Sequence, residues 1–169
     1  MAQVLLRAGA DQYAATALLA SAATPTDIAI LPGSASKTIL VTKVIISGTK
    51  TTAGLVDVLL IKRSTANSGG TSAAMTAVPY DSTNLAASAA PLSYTANPTP
   101  GTAVGTVRRA HIPIDAPASV VGTVLHIFDF GNYGQPIVLR GVAEGLAVNL
   151  NSVTQTGGSF AVTFEWQEI

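Results

Sequence analysis

The chain has 169 residues, a formal net charge of zero and no cysteine. Only 11% of its residues are charged, against roughly 25% in ordinary soluble domains. The lack of cysteine excludes a disulfide framework, a thiolate metal site and a cysteine nucleophile. The even scatter of few positive charges disfavours nucleic-acid binding, and no apolar run approaches the roughly 18 residues of a membrane span.

A surface with so few charges is poorly protected against association. Because 48% of the residues are hydrophobic, we expect a subunit that is packed against copies of itself or against a larger assembly. The length favours one domain over residues 1–169.

The hydrophobic pattern predicts β-strands along the whole chain. Residues 38–47 and 55–63 are apolar on both faces, so each needs cover on both sides, and the glycine-bounded residues 48–54 predict a hairpin between them. Further strands are predicted at residues 4–7, 13–19, 27–31, 105–113, 124–128, 137–142, 146–150 and 160–166. We therefore expect an all-β protein, an antiparallel β-sandwich of the jelly-roll-like type with about eight to ten strands.

The strand at residues 160–166 has the clearest pattern. Its large apolar side chains alternate with small or polar residues, and a period of two places them on one buried face; they are Phe160, Val162, Phe164 and Trp166. Residues 151–158 are then interpreted as a connection to an antiparallel neighbour at 146–150.

Two segments depart from the regular pattern. Residues 1–23 have a mixed pattern and few charges, which predicts an N-terminal arm that reaches a neighbouring chain. Residues 64–101 form a long excursion rich in Pro, Ala and Thr, with short strands at 73–78 and 92–95. Long loops in compact domains are usually functional or disordered, so we expect a partner surface to order this one.

No residue pattern indicates catalysis or a bound cofactor. The chain has no Gly-x-Ser-x-Gly elbow, and its glycine-rich stretches lack the strand–loop–helix context of a phosphate site. Glu165 and Glu168 flank Trp166 without forming the paired carboxylates of a glycosidase cleft. We predict that the protein is not an enzyme and has neither catalytic nor cofactor-binding residues.

The two histidines are candidate metal ligands. His111 precedes Asp115 and His126 precedes Asp129 at similar offsets, so convergence of the four side chains would make a metal site. Each histidine also fits the polar face of a strand, and that interpretation is favoured. We predict no metal site.

Aromatic residues near predicted turns are the candidate interface residues: Tyr80, Tyr94, Phe130 and Tyr133. Exposed aromatics frequently anchor interfaces, and aromatics that plug the core beneath a loop show the same pattern, so both interpretations stay open. If the chain instead binds carbohydrate, the three tyrosines and Trp166 are the candidates for stacking on sugar rings.

Several stretches resemble those of a known group of proteins; they are residues 56–73, 77–82, 94–99, 134–141 and 146–151. The group comprises small virion-associated structural proteins of tailed bacteriophages and prophages. The resemblance implies a β-sandwich or jelly-roll subunit of the virion, assembled in the host cytoplasm. The role that fits best is a head decoration (cement) protein, whose partners are the major capsid protein and further copies of itself, with a trimer favoured.

Two other functions stay open at this point. One is a β-module of the tail, collar or fibre, which could bind carbohydrate. The other, a secreted lectin-like or hydrolytic domain, rests on β architecture alone, and architecture does not determine function.

Overall fold

A computed structural model describes residues 9–20, 22–116, 124–131 and 135–169. These residues form twelve strands and contain no helix: β1 (Asp11–Ala20), β2 (Asp27–Pro32), β3 (Ile39–Thr49), β4 (Gly54–Arg63), β5 (Thr71–Ala74), β6 (Ala77–Pro79), β7 (Leu92–Ala96), β8 (Ala103–Ile114), β9 (His126–Asp129), β10 (Ile137–Leu139), β11 (Gly145–Asn149) and β12 (Ser159–Glu168). Within the described ranges, no helix has the length and hydropathy of a membrane span. The strand predicted at residues 4–7 lies outside those ranges.

The strands form two six-stranded antiparallel sheets, which confirms the all-β prediction and is consistent with a β-sandwich. Sheet A has the order β10-β3-β12-β1-β6, and β9 also pairs with β3. Sheet B has the order β5-β7-β2-β11-β4-β8. The prediction of about eight to ten strands was too low for the described chain, because the excursion at residues 64–101 contributes three short strands, β5, β6 and β7.

The hydrophobic core lies between the two sheets. The four side chains predicted on the inner face of β12 are each at most 1% exposed: Phe160, Val162, Phe164 and Trp166. Val56, Val58 and Leu60 of β4 are equally buried in the same core from sheet B. The Trp166 ring stacks on Tyr13 of β1 with ring centroids 5.7 Å apart, so the period-two prediction for β12 is confirmed.

Both predicted hairpin connections are wrong. Residues 48–54 run from β3 in sheet A to β4 in sheet B, and residues 151–158 run from β11 in sheet B to β12 in sheet A. β3 pairs with β12, while β4 pairs with β8 and β11. Glycines indicate that the chain changes direction, but whether the next strand stays in the same sheet is decided by these distant pairing partners.

The arm predicted for residues 1–23 is wrong over β1. This strand lies inside sheet A, where it pairs with β12 along its ten residues and with β6 on its other edge. Tyr13, Ala15 and Leu19 of β1 are at most 5% exposed. Two of the inner positions of β1, Ala15 and Ala17, carry only a methyl group, which left its alternation weak in the sequence.

The excursion at residues 64–101 folds back on its own domain. β7 and β5 extend sheet B beyond β2, and β6 extends sheet A beyond β1. Met75 and Ala89 are buried in the main core. Contacts within the chain therefore account for the order of the excursion, where the sequence had suggested a partner.

Glu168 of β12 fastens the excursion to sheet A. Its carboxylate is buried and accepts hydrogen bonds from the Ser88 backbone N–H (3.0 Å), the Ser88 hydroxyl (2.6 Å), the Ala89 N–H (3.1 Å) and the Trp166 indole N–H (3.0 Å). Charge-assisted bonds of this kind are about twice as strong as neutral ones. One side chain thus holds both a core aromatic and the middle of the excursion.

Glu168→Ala should loosen the excursion, because Ser88, Ala89 and Trp166 lose their acceptor. We expect a fall of roughly 2–3 kcal/mol in the free energy of unfolding and faster proteolysis between residues 80 and 90. Urea unfolding and limited proteolysis read by mass spectrometry measure the two effects. The control is Glu144→Ala, whose carboxylate pairs with Lys62 at 3.4 Å away from the excursion with 30% of its side chain exposed, and it should contribute below about 1 kcal/mol. Equal cleavage rates in the two variants would show that Glu168 does not hold the excursion.

Candidate interaction surfaces

The two histidines do not converge. His111 lies in β8 of sheet B, with its Nδ1 3.9 Å from Asp57 Oδ1. His126 lies in β9 of sheet A, edge-to-face against Phe128 at 4.5 Å between ring centroids. Within the described ranges, no group of three or more His, Asp or Glu side chains is placed to hold a metal ion.

The candidate aromatic residues lie in different environments. Tyr94 is 5% exposed and packs with Ile30 and Ala147 in a small cluster of its own. Phe130 is also 5% exposed and lies in the main core, with the Arg108 guanidinium 5.3 Å from its ring centroid. Both side chains, like that of Trp166, are therefore packed in the interior of the chain and are not exposed to a partner.

Tyr80 differs from these residues because it is 57% exposed. It follows β6, and its backbone N–H donates to the Gln12 carbonyl of β1 at 2.9 Å. Among the aromatic candidates that the structure describes, Tyr80 is therefore the one available to a ligand or partner. Tyr133 lies outside the described residues.

A cavity of about 270 Å³ opens beside Tyr80. It lies where β1 begins and β6 ends, and its lining consists of Gly9, Ala10, Asp11, Gln12, Tyr80, Asp81 and Asn84. Residues with carboxylate, amide and aromatic side chains thus surround one concave space. Sequence reasoning singled out Tyr80 but could not find this cavity, because its two walls are about 70 residues apart in the chain.

A buried ion pair, missed in the sequence, ties the excursion to sheet B. Arg63 of β4 donates two hydrogen bonds of 2.6 Å to Asp27 of β2, and the two side chains are 5% and 0% exposed. The amides of Asn149 and Asn67 donate to the same carboxylate at 2.7 and 2.9 Å. Arg63 also donates to the Gly101 carbonyl at 2.7 Å. The sequence signal for this ion pair was a charged residue at one end of each of two apolar strands. Because its two members are hydrogen-bonded to each other, the ion pair has a structural role.

A second buried carboxylate with several hydrogen-bond partners lies where β4 pairs with β8. Asp57, which is 9% exposed, accepts hydrogen bonds from the Arg109 guanidinium and from Asn151 Nδ2 at 2.9 Å. The hydrogen bonds from Arg109 hold the pKa of Asp57 below its ordinary value, against the opposing effect of burial.

This pKa shift predicts a pH dependence of stability. Because the folded pKa is the lower one, Asp57 stabilises the fold above its unfolded pKa near 4, and that contribution is lost as the pH falls through the folded pKa. Acid titrations followed by circular dichroism should show that Asp57→Asn loses less stability between about pH 5 and pH 2 than the wild type. The control, Thr163→Ala, changes an exposed position without removing an ionisable group and should keep the wild-type profile. An unchanged slope in Asp57→Asn would contradict the assignment.

The outer surface of the sandwich exposes large apolar side chains among few charges. On sheet A, Leu18 of β1 is 76% exposed, Val78 of β6 56% and Ile127 of β9 49%; these three residues are called the sheet A face. On sheet B, Leu55 of β4 is 65% exposed and Val104 of β8 is 63% exposed. Single exposed apolar residues are ordinary, but the low charge of this chain leaves little to repel a second protein surface.

Comparison with known proteins yields no relative. No protein-family model, no curated protein and no solved structure matches the chain.

Proposed function

We propose that the chain is a non-enzymatic structural subunit of a tailed-phage virion, acting as a head decoration (cement) protein on the major capsid protein lattice. The observation that carries the proposal is the sheet A face: Leu18, Val78 and Ile127 are exposed on a sheet whose other face forms the core. Resemblance to phage virion proteins supplies the kind of partner. Further copies of the same chain are the second partner.

We also infer that the sandwich is a jelly roll. Without the three strands of the excursion, the sheet orders become β10-β3-β12-β1 and β2-β11-β4-β8, with β9 beside β3. Each sheet then consists of four strand positions. Strands that follow one another in the sequence, such as β1 and β2 or β3 and β4, lie in opposite sheets. Two interlocked Greek keys produce such an order, and viral capsid and lectin domains use this architecture.

The mechanism is burial of apolar surface across joints between capsid subunits. Each Å² of apolar area removed from water contributes about 25 cal/mol, and part of that gain is lost to the entropy of association. Repetition of the contact over a lattice raises the effective strength of weak individual contacts. A chain in which only 11% of the residues are charged is suited to this use because few charged groups must be desolvated.

Quantitative mass spectrometry of purified virions tests the proposal. A decoration protein should be present at a copy number comparable to that of the major capsid protein. Absence from the particles would overturn a virion role, and a small fraction of that copy number would place the chain in the tail.

Reconstitution of stripped particles tests the sheet A face itself. Leu18→Ser combined with Ile127→Ser should abolish rebinding to heads while leaving the fold intact. The matched control, Leu55→Ser combined with Val104→Ser, changes two equally exposed residues on sheet B. If the control pair blocks rebinding and the first pair does not, the contact surface has been assigned to the wrong sheet.

The second candidate function is a tail, collar or fibre module. The cavity beside Tyr80 favours it, because such modules meet the cell surface and a polar cavity suits recognition better than lattice packing. Copy number separates the two candidates.

A further inference from the structure

We propose that the cavity beside Tyr80 is a binding site for a neutral, hydroxyl-rich sugar ring. The site combines an exposed aromatic ring with amide and carboxylate side chains in one concavity. The inference does not depend on whether the chain decorates the head or belongs to the tail.

The residue that carries the aromatic ring is held in place. The backbone of Tyr80 is fixed to β1, because its N–H donates to the Gln12 carbonyl at 2.9 Å. Partial burial, followed by the Glu165 carboxylate, raises the pKa of Tyr80 to about 12, so the phenol is neutral at physiological pH. Glu165 is in turn paired with Lys43 at 3.3 Å. A residue whose backbone is anchored in this way loses less conformational entropy when a ligand packs on its ring.

The polar part of the lining has the groups that sugar hydroxyls need. Asp11 and Asp81 supply hydrogen-bond acceptors, while the amides of Gln12 and Asn84 supply both donors and acceptors. Asp81 is oriented by a local turn, in which its Oδ1 accepts from the Thr83 N–H at 2.9 Å and from the Thr83 hydroxyl at 2.7 Å. A hydroxyl group donates and accepts at once, so adjacent hydroxyls can bond to carboxylates and amides together.

Charge in the lining favours a neutral ligand. Two carboxylates and no cationic side chain line the described cavity, so phosphates and acidic sugars would be repelled. Within the described residues, no group of three or more His, Asp or Glu side chains is placed to hold a metal ion there. The cavity is therefore better suited to an uncharged sugar than to an anion or a bound metal.

The size of the cavity and the open backbone at Gly9 fit a single sugar ring. Its volume of about 270 Å³ lies just below the range of roughly 300–1,000 Å³ for drug-sized ligands. At one end, Gly9 has a φ of +83°, and a Cβ added there would meet no other heavy atom within 4 Å. A ligand can thus approach the backbone closely, and a small, open site of this kind predicts millimolar affinity.

The test is a nuclear magnetic resonance titration of the full ¹⁵N-labelled chain with glucose, galactose and N-acetylglucosamine, each added separately. We expect saturable shifts confined to the amides of residues 9–12 and 80–84 for at least one sugar. Tyr80→Ala should weaken that binding about tenfold or more, while Tyr80→Phe, which keeps the ring, should retain most of it. Leu85→Ala is the matched control, because Leu85 is 80% exposed close by but does not line the cavity.

Each outcome decides the proposal. Saturation lost in Tyr80→Ala and retained in Leu85→Ala supports it, provided that both variants melt like the wild type. If Tyr80→Ala is unfolded, Asn84→Ala replaces it as the test of the polar lining. No saturable shift with any of the three sugars overturns the proposal, as does tighter binding of inorganic phosphate or N-acetylneuraminic acid, or binding that requires added calcium. None of these results bears on virion copy number, so failure here leaves the capsid proposal to its own test.

Discussion

Phe164→Ala should lower the free energy of unfolding by about 3–5 kcal/mol, the usual loss for a large buried aromatic. Phe164 is fully buried on the inner face of β12, and β12 lies between β3 and β1 in sheet A. The cavity left by the substitution would be surrounded by strands that are fixed on both sides, so little collapse can fill it. Chemical denaturation of the isolated chain measures the loss.

Thr163→Ala is the matched control for this substitution. Thr163 is the preceding residue of β12 and faces outward, where its hydroxyl lies 2.9 Å from that of Thr16 at an exposed position. We expect a change below about 1 kcal/mol. If both variants lose the same small amount, the inner face of β12 does not carry the core.

Arg63→Met should cost about 3–5 kcal/mol, because it leaves the carboxylate of Asp27 buried without its cation. The two amides that remain, from Asn67 and Asn149, can donate hydrogen bonds but bring no charge. Urea unfolding gives the size of the loss, and amide hydrogen exchange should show faster opening around Gly101, whose carbonyl also loses its donor.

Two further variants separate a buried pair from a surface pair. Asp27→Leu combined with Arg63→Met should lose less than the sum of the two single variants, since no unpaired charge stays buried. Lys43→Met removes an ion pair whose side chains are 37% and 17% exposed, and it should cost at most about 1 kcal/mol. A loss in Arg63→Met as small as that in Lys43→Met would show that water reaches Asp27.

Strand positions and core faces could be predicted from the sequence because each depends on neighbouring residues. The alternation in residues 160–166 places Phe164 in the core whichever strands lie beside it. By contrast, sheet membership depends on pairing partners far along the chain. Residues 48–54 have the glycines that are typical of a hairpin, but a loop that connects two sheets can have the same composition.

The candidate site was predictable only in part. The sequence placed Tyr80 and Tyr94 in one class, near turns, whereas the fold buries Tyr94 and leaves Tyr80 exposed. What separates them is the path of the excursion, which places β7 inside sheet B and the end of β6 at the edge of sheet A. The cavity joins Gln12 to Asn84, and no local pattern links those two residues.

The position of β12 also constrains how the chain can fold during synthesis. Its two partners in sheet A, β1 and β3, leave the ribosome more than a hundred residues earlier, yet they are not paired with each other and must wait for β12 to come between them. Until then, one edge of β1 and one edge of β3 lack their partner, although β6 can already pair with the other edge of β1, and β9 and β10 with the other edge of β3. The nascent chain therefore presents two unpaired strand edges to chaperones and to other chains. We expect refolding to be slow for a domain of this size, since nearly all of sheet A forms by long-range closure.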